Sequence, residues 1–204
     1  MPVAIDGERL GAVDLVQRLH DLGGAHGVGR IDHVEDRLVG IKSREIYEAP
    51  AATILHAAHR ALEGLTLTRD TLRFNRLVAD ELARLIYDGL WFSALSRDLR
   101  GYVASAQRVV SGEVRMRLDH GSAVVAGRRS PLSLYDKSLA TYDEGDAFDH
   151  ASAVGFIEIF GLPLRVEAAR HGAVGARYGA AWSWTEPLLE SLPTNVTDPE
   201  PAAV

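Results

Sequence analysis

The chain has 204 residues, 47% of them hydrophobic and 25% charged, enough apolar material to bury a core as one domain or as a domain with an appendage. It contains no cysteine, which excludes disulfides, thiolate nucleophiles, zinc fingers and iron–sulfur clusters and leaves any chemistry to oxygen and nitrogen groups. A net charge of -6 argues against a nucleic-acid partner, and no run approaches the roughly 18 to 20 apolar residues of a membrane span.

The amino terminus, "MPVAIDGERL", lacks the basic, apolar and small-residue sections of a signal peptide, so a cytoplasmic location is expected. "LGAVDLVQRLHDLGGAHG" reads as a helix with Val13, Leu15, Val16, Leu19 and Leu22 on one side and Gly23-Gly24 as its stop. Val28 to Arg37 and Leu38 to Tyr47 interleave β-branched residues with charges and read as two strands, or a strand and an irregular loop. Ala49 to Glu63 returns to helix after Pro50, a residue suited to opening one.

From Thr68 the three-and-four spacing of Phe74, Leu77, Val78, Leu82, Leu85 and Ile86 predicts a long helix. After a break near Gly89, Leu95, Leu99, Tyr102, Val103, Ala106 and Val109 predict a second. "EVRMRLDHGSAVVAGRRSP" alternates apolar and charged residues about Asp119-His120-Gly121 and predicts a hairpin. "DHASAVGFIEIFGLP" is a shorter helix ended by Gly161 and Pro163, beyond which the pattern loosens. The last stretch, "LPTNVTDPEPAAV", is a polar, proline-containing tail, preceded by an apolar cluster of Trp182, Trp184, Leu188, Leu189 and Leu192 that would pack on its own domain or fasten the tail to another subunit. The fold class expected is α+β, long helices packed on short antiparallel strands. Residues 1–166 form the main domain, and residues 167–204 an oligomerisation or disordered tail.

Several motifs fail on their context. "HGVGRID" has Gly27 and Gly29 but lacks the third glycine of a dinucleotide fingerprint and follows a helix, where the fingerprint needs a strand. His56 and His59 lie one helical turn apart near Glu63 without an identifiable further ligand, so no metal site is assigned. Arg128 and Arg129 in "RRSPLSLYD" could hold an anion, but a solvated turn is the plainer reading. No Walker-type loop and no Ser-Gly-Gly-x-Asp loop is present to cradle a nucleotide triphosphate.

The stretch Gly29 to Pro50 concentrates nine charged side chains in 22 residues. Glu35 and Tyr47 stand in it among Val34, Leu38, Val39, Ile41 and Ile46, and a carboxylate and a phenol in such a frame can hold a small zwitterion. A structural ion-pair network with Arg30, Arg37, Lys42 and Arg44 accounts for the same charges.

These words in order, "HGVGRIDHVEDRLVGIKSREIYEAP", "TIL" with "AHR" after it, "LTLTRD", "YDGLWFS", "SGEVRMRL", "GRRSPLSLYD" and "GFIEIFGLP", resemble the carboxy-terminal half of argininosuccinate synthase. The resemblance covers about Pro2 to Val166 and implies the synthetase and oligomerisation region of an enzyme that joins citrulline to aspartate through a citrullyl-adenylate, with ATP giving AMP and pyrophosphate. It implies citrulline binding by the glutamate of "DxVE" and the tyrosine of "SRxxYE", here Glu35 and Tyr47, and no catalytic residue in this chain. His33 departs from the apolar residue of many members, Ala51-Ala52 replaces a glycine-rich turn, and nothing after Glu167 matches. The family's amino-terminal, ATP-binding half is missing, which implies a fragment, a split-gene product or a shortened paralogue. ATP and Mg are therefore expected only in the complete enzyme, and activity is not expected without that half. A homo-oligomer is expected, the long helices between residues 68 and 111 supplying subunit contacts. The alternative is a non-catalytic module derived from the family that binds an amino acid or a full-length homologue.

Overall fold

The computed structural model describes residues 2–139 and 150–178 and divides the chain into two compact units, residues 1–140 and 141–204. The fold class is α+β: six α-helices and three antiparallel strand pairs among the described residues.

The first unit begins with a small hairpin, β1 (Ala4–Ile5) and β2 (Glu8–Arg9), turning at Asp6-Gly7, both at positive φ. Helix α1 (Ala12–Ala25) comes next and passes through Gly23-Gly24, which the sequence pattern offered as its stop. It ends instead on Gly27 at φ +71, with Gly27 N–H donating to Gly24 O and Val28 N–H to Gly23 O, the paired bonds of a Schellman cap. Gly23 has another task. A Cβ there would lie 2.7 Å from Pro50 Cβ, so the missing side chain lets α1 approach the next helix.

Strands β3 (Arg30–Asp36) and β4 (Lys42–Glu48) form the second hairpin, with Ile31 opposite Tyr47, His33 opposite Glu45 and Glu35 opposite Ser43. Helix α2 (Pro50–Thr66) opens on Pro50, whose missing N–H is no loss in a first turn, and buries Ala51, Ile54 and Ala61. Thr68 caps α3 (Arg69–Tyr87) by accepting from Thr71 N–H, and Ser93 caps α4 (Ala94–Ala106) by accepting from Ser96 N–H. Gly89 at φ +74 makes the break between them. Strands β5 (Glu113–Asp119) and β6 (Ser122–Arg129) turn at His120-Gly121, both at positive φ, which is the backbone that a two-residue hairpin turn requires. Helix α1 packs on α2, α2 on the β5–β6 hairpin and α3 on α4, and the buried core residues include Leu15, Val28, Ile54, Val78 and Leu85.

A polar network links three helices beside this core. Glu63 accepts from Asn75 and Gln107 at 3.3 and 2.7 Å, and Tyr102 O–H donates to Asn75 at 2.8 Å.

In the second unit, α5 (Ser152–Phe160) ends at Gly161 as the pattern predicts. The chain does not loosen there. Pro163 sits in the first turn of α6 (Leu162–Tyr178), where proline opens a helix as readily as it closes one elsewhere. Trp182, Trp184, Leu188, Leu189, Leu192 and the polar tail lie outside the described residues.

Gly29 adopts φ +84, and a Cβ on it would lie 2.5 Å from Pro50 N, whereas Gly40 at φ +81 faces open space. Gly40→Ala is therefore expected to cost roughly 1 to 2 kcal/mol from backbone conformation alone. Gly29→Ala adds an overlap with backbone and should cost about 3 kcal/mol or more. Urea unfolding of the two variants measures the difference, and equal losses would mean that the close approach at Gly29 is not a constraint.

Candidate functional site

Alternation along β3 and β4 sends His33, Glu35, Ser43, Glu45 and Tyr47 to one face of the hairpin and Arg30, Asp32, Asp36, Lys42, Arg44 and Glu48 to the other. The nine charges of the stretch thereby separate. On the second face every charge has an opposite partner across the ladder: Arg44 binds Asp32 through Nε at 2.8 Å and Nη2 at 2.6 Å, Lys42 binds Asp36 at 2.7 Å, and Arg30 lies 3.7 Å from Glu48. The Arg44 guanidinium holds the Asp32 carboxyl below its ordinary range. This face holds three of the four cations of the ion-pair network that the sequence offers, Arg30, Lys42 and Arg44; the fourth, Arg37, lies on the other face.

The first face does not balance. It carries Glu35 and Glu45 with Arg37 as the single fixed cation between them. Arg37 donates a hydrogen bond to Glu45 Oε1 and stands 3.5 Å from Glu35 Oε1. Tyr47 O–H donates to the same Glu35 oxygen at 3.3 Å, and His33 Nε2 lies 3.4 Å from the other, Oε2. The His33 ring meets the Tyr47 ring edge-on, centroids 5.5 Å apart. Glu35 is the most enclosed of these charges, its side chain 19% exposed. The two residues singled out in the sequence are thus brought together, although Tyr47 is aligned with Ile31 and reaches Glu35 only by leaning along the strand.

Two further groups are not evident from the sequence. Glu45 takes the Arg37 hydrogen bond, and Ser43 Oγ, directly across the ladder from Glu35, is buried without a hydrogen-bond partner. Strand alternation alone would have put both on the Glu35 face, had the register of the hairpin been known.

The other candidates resolve as local structure. His59 pairs with Glu63 at 3.5 Å, and among the described residues no group of three or more His, Asp or Glu converges on a metal position. Arg129 is bound by Glu113, and Ser130 accepts from Leu132 N–H while donating to Ser111 O, so these side chains build a turn. No helix among the described residues is long and apolar enough to cross a membrane.

An α+β domain with an acid-rich hairpin face is one class of answer; sequence comparison narrows it. The model of the "Arginosuccinate synthase C-terminal domain" matches residues 1–167, and the chain belongs to the argininosuccinate synthase family. The argininosuccinate synthase of Dehalococcoides mccartyi is 58% identical over 168 residues, which are 82% of this chain and 41% of that protein. That of Synechococcus sp. (strain JA-3-3Ab) is 56% identical over 176 residues, 86% of this chain and 44% of the relative. That of Staphylococcus aureus (strain JH9) is 54% identical over 172 residues, 84% and 43%. The chain thus spans under half the length of these relatives.

Partial desolvation of the Tyr47 phenol, then the neighbouring Glu35 and Glu45 carboxylates, then the hydrogen bond to Glu35, raise its pKa above the ordinary 10.0. A folded-state value above the unfolded one means that this contribution to stability is fully present below about pH 10 and is lost as pH rises through the folded value. In a spectrophotometric titration of tyrosinate, Glu35→Gln should move Tyr47 back toward the ordinary value without reaching it, because desolvation remains. No movement would place Tyr47 outside the influence of Glu35.

Proposed function

We propose that this chain is the carboxy-terminal part of an argininosuccinate synthase, contributing citrulline binding and oligomer contacts to the ATP-dependent, cytoplasmic joining of citrulline and aspartate in arginine biosynthesis. The observation that carries the binding role is the unbalanced hairpin face, where Glu35 is held by Tyr47 and His33 beside a guanidinium shared with a second carboxylate. An excess carboxylate in a partly enclosed setting suits an ammonium group, and charge-assisted hydrogen bonds are the stronger kind. Glu35 takes the citrulline ammonium and Tyr47 orients its polar end, so both act by positioning the reactant.

Among the described residues no group of three or more His, Asp or Glu converges on a metal position, and the sequence holds no triphosphate-cradling loop, which supports ATP and Mg being held elsewhere in the complete enzyme. Activation of the ureido oxygen is assigned to an amino-terminal portion like that of the longer relatives. Oligomer contacts are supported by α5, in which only Ser152 and Glu158 are polar and Phe156, Ile157, Ile159 and Phe160 are all exposed. A helix that is apolar all round is covered in its working state, and other copies of the chain would cover it.

Pyrophosphate release is the assay. The chain alone should release none from ATP at any citrulline and aspartate concentration, and mixing it with the amino-terminal portion of the Dehalococcoides mccartyi relative should restore citrulline-dependent release. Activity of this chain alone overturns the reading. Silence of the mixture, with both parts folded, favours the non-catalytic module. In the restored system Glu35→Gln should weaken citrulline about ten- to a hundredfold with ATP unaffected, and Tyr47→Phe about three- to tenfold. Light scattering should find the chain oligomeric at micromolar concentration and Ile159→Glu more dissociated; a monomeric parent chain would sink the oligomer assignment.

A further inference from the structure

The hydrogen-bonding arm of Arg37 does not go to the carboxylate assigned to the ligand. Its Nη2 donates to Glu45 Oε1, whereas its approach to Glu35 is an ion-pair contact of 3.5 Å from Nη1. The register explains the arrangement: Glu45 lies opposite His33, one same-face position along the ladder from the Glu35–Ser43 pair, so its side chain leans past Glu35 to reach the guanidinium. Two carboxylates and one guanidinium leave a net charge of about one negative unit on the face. Without Glu45, Arg37 would have Glu35 as its sole carboxylate partner there, and the pair would be neutral.

We propose that Glu45 is a positioning residue of the citrulline site: by engaging Arg37 it keeps the charge of Glu35 available for the ligand ammonium and so makes the site select amino acids with a free α-amino group. The proposal rests on the reading of Glu35 as the ammonium acceptor. Arg37 is then a competitor of the ligand that Glu45 holds aside, and its removal should repair the loss of Glu45. A purely structural role for Glu45 predicts the opposite, since deleting two linked side chains would do at least as much damage as deleting one.

The test is an NMR titration, in the mixture with the amino-terminal portion, of the 204-residue chain with citrulline and with Nα-acetylcitrulline, which lacks the ammonium. Glu45→Gln should weaken citrulline about five- to tenfold and shrink its preference over the acetylated compound, the size of a partly screened charged contact. Glu45→Asp should stay within about threefold of the parent, since the charge is kept. The double variant Arg37→Gln/Glu45→Gln should return most of the lost affinity. Unchanged binding in Glu45→Gln, or a double variant as weak as the single one, overturns the proposal.

If the parent chain does not respond to citrulline while remaining folded, the ligand reading fails and the selection of amino acids fails with it. The sharing of Arg37 is judged separately, without ligand, from its Nε–Hε resonance. That signal should shift in both Glu45→Gln and Glu35→Gln, and should not shift in Glu48→Gln on the other face. A shift in Glu35→Gln alone would show that Glu45 does not hold Arg37 and would overturn the charge-sharing even where citrulline binds.

Discussion

The crossing of Gly29 with Ala49 and Pro50 is the constraint on which the site depends. At that point the backbone entering β3 touches the backbone leaving β4, with Ala49 N–H donating to Gly29 O at 2.8 Å and no room for a Cβ between them. The same crossing places Pro50 at the first turn of α2, so the helix starts where the hairpin closes. Since Pro50 also lies against Gly23 of α1, two glycines and one proline join the hairpin to α1 and α2. Any slip in this junction would move the register of β3 on β4 by a residue and turn Glu35 and Tyr47 to opposite sides.

That register is what makes a highly charged hairpin useful. Paired charges at an exposed sheet surface contribute little to stability, because each ion exchanges good hydration for a screened partner. The arrangement therefore acts mainly on where charge ends up. One face is neutralised by three cross-strand pairs, and the surplus acid is confined to the other face, beside an aromatic donor. The opposite distribution, with the charges spread evenly, would have given the same net charge and no acidic face.

The long elements are legible in the sequence and the short or ambiguous ones are not. Helices α2, α3 and α4 and the two larger hairpins are readable from periodicity and from turn residues such as His120-Gly121. The β1–β2 pair is not, although Asp6-Gly7 is a hairpin signal, because strands of two residues carry no alternation to read. Gly23-Gly24 and Gly161-Leu162-Pro163 both have the composition of stops. Only the first misleads about where a helix ends, since a glycine demanded by close packing looks the same in sequence as one demanded by a cap. Gly161 does end α5, but the composition hides α6 behind it, because proline fits the first turn of a new helix as well as the region beyond an old one. For the site, the resemblance named Glu35 and Tyr47, while pattern alone left them balanced against an ion-pair network. The structure puts Arg30, Lys42 and Arg44 in cross-strand pairs on one face and sets Arg37 between Glu35 and Glu45 on the other, a division that no count of charges could have made.

The two units meet different physical demands. In the first, buried Leu15, Val28, Ile54 and Leu85 hold the helices while polar contacts such as Glu63 with Asn75 and Gln107 fix their relative rotation, since a directional bond is lost by a small turn that apolar contact tolerates. In the second, Phe156 and Phe160 stack on each other at 5.2 Å yet remain largely exposed beside Ile157 and Ile159. Stacking within one helix removes only the facing sides of the rings from water and leaves the remaining apolar area to be covered by another surface. The charged hairpin draws its rigidity from its own unit; an apolar helix of this kind reaches its lowest free energy only when something else is packed on it. The first unit therefore carries its own determinants of order, whereas α5 of the second leaves apolar area uncovered.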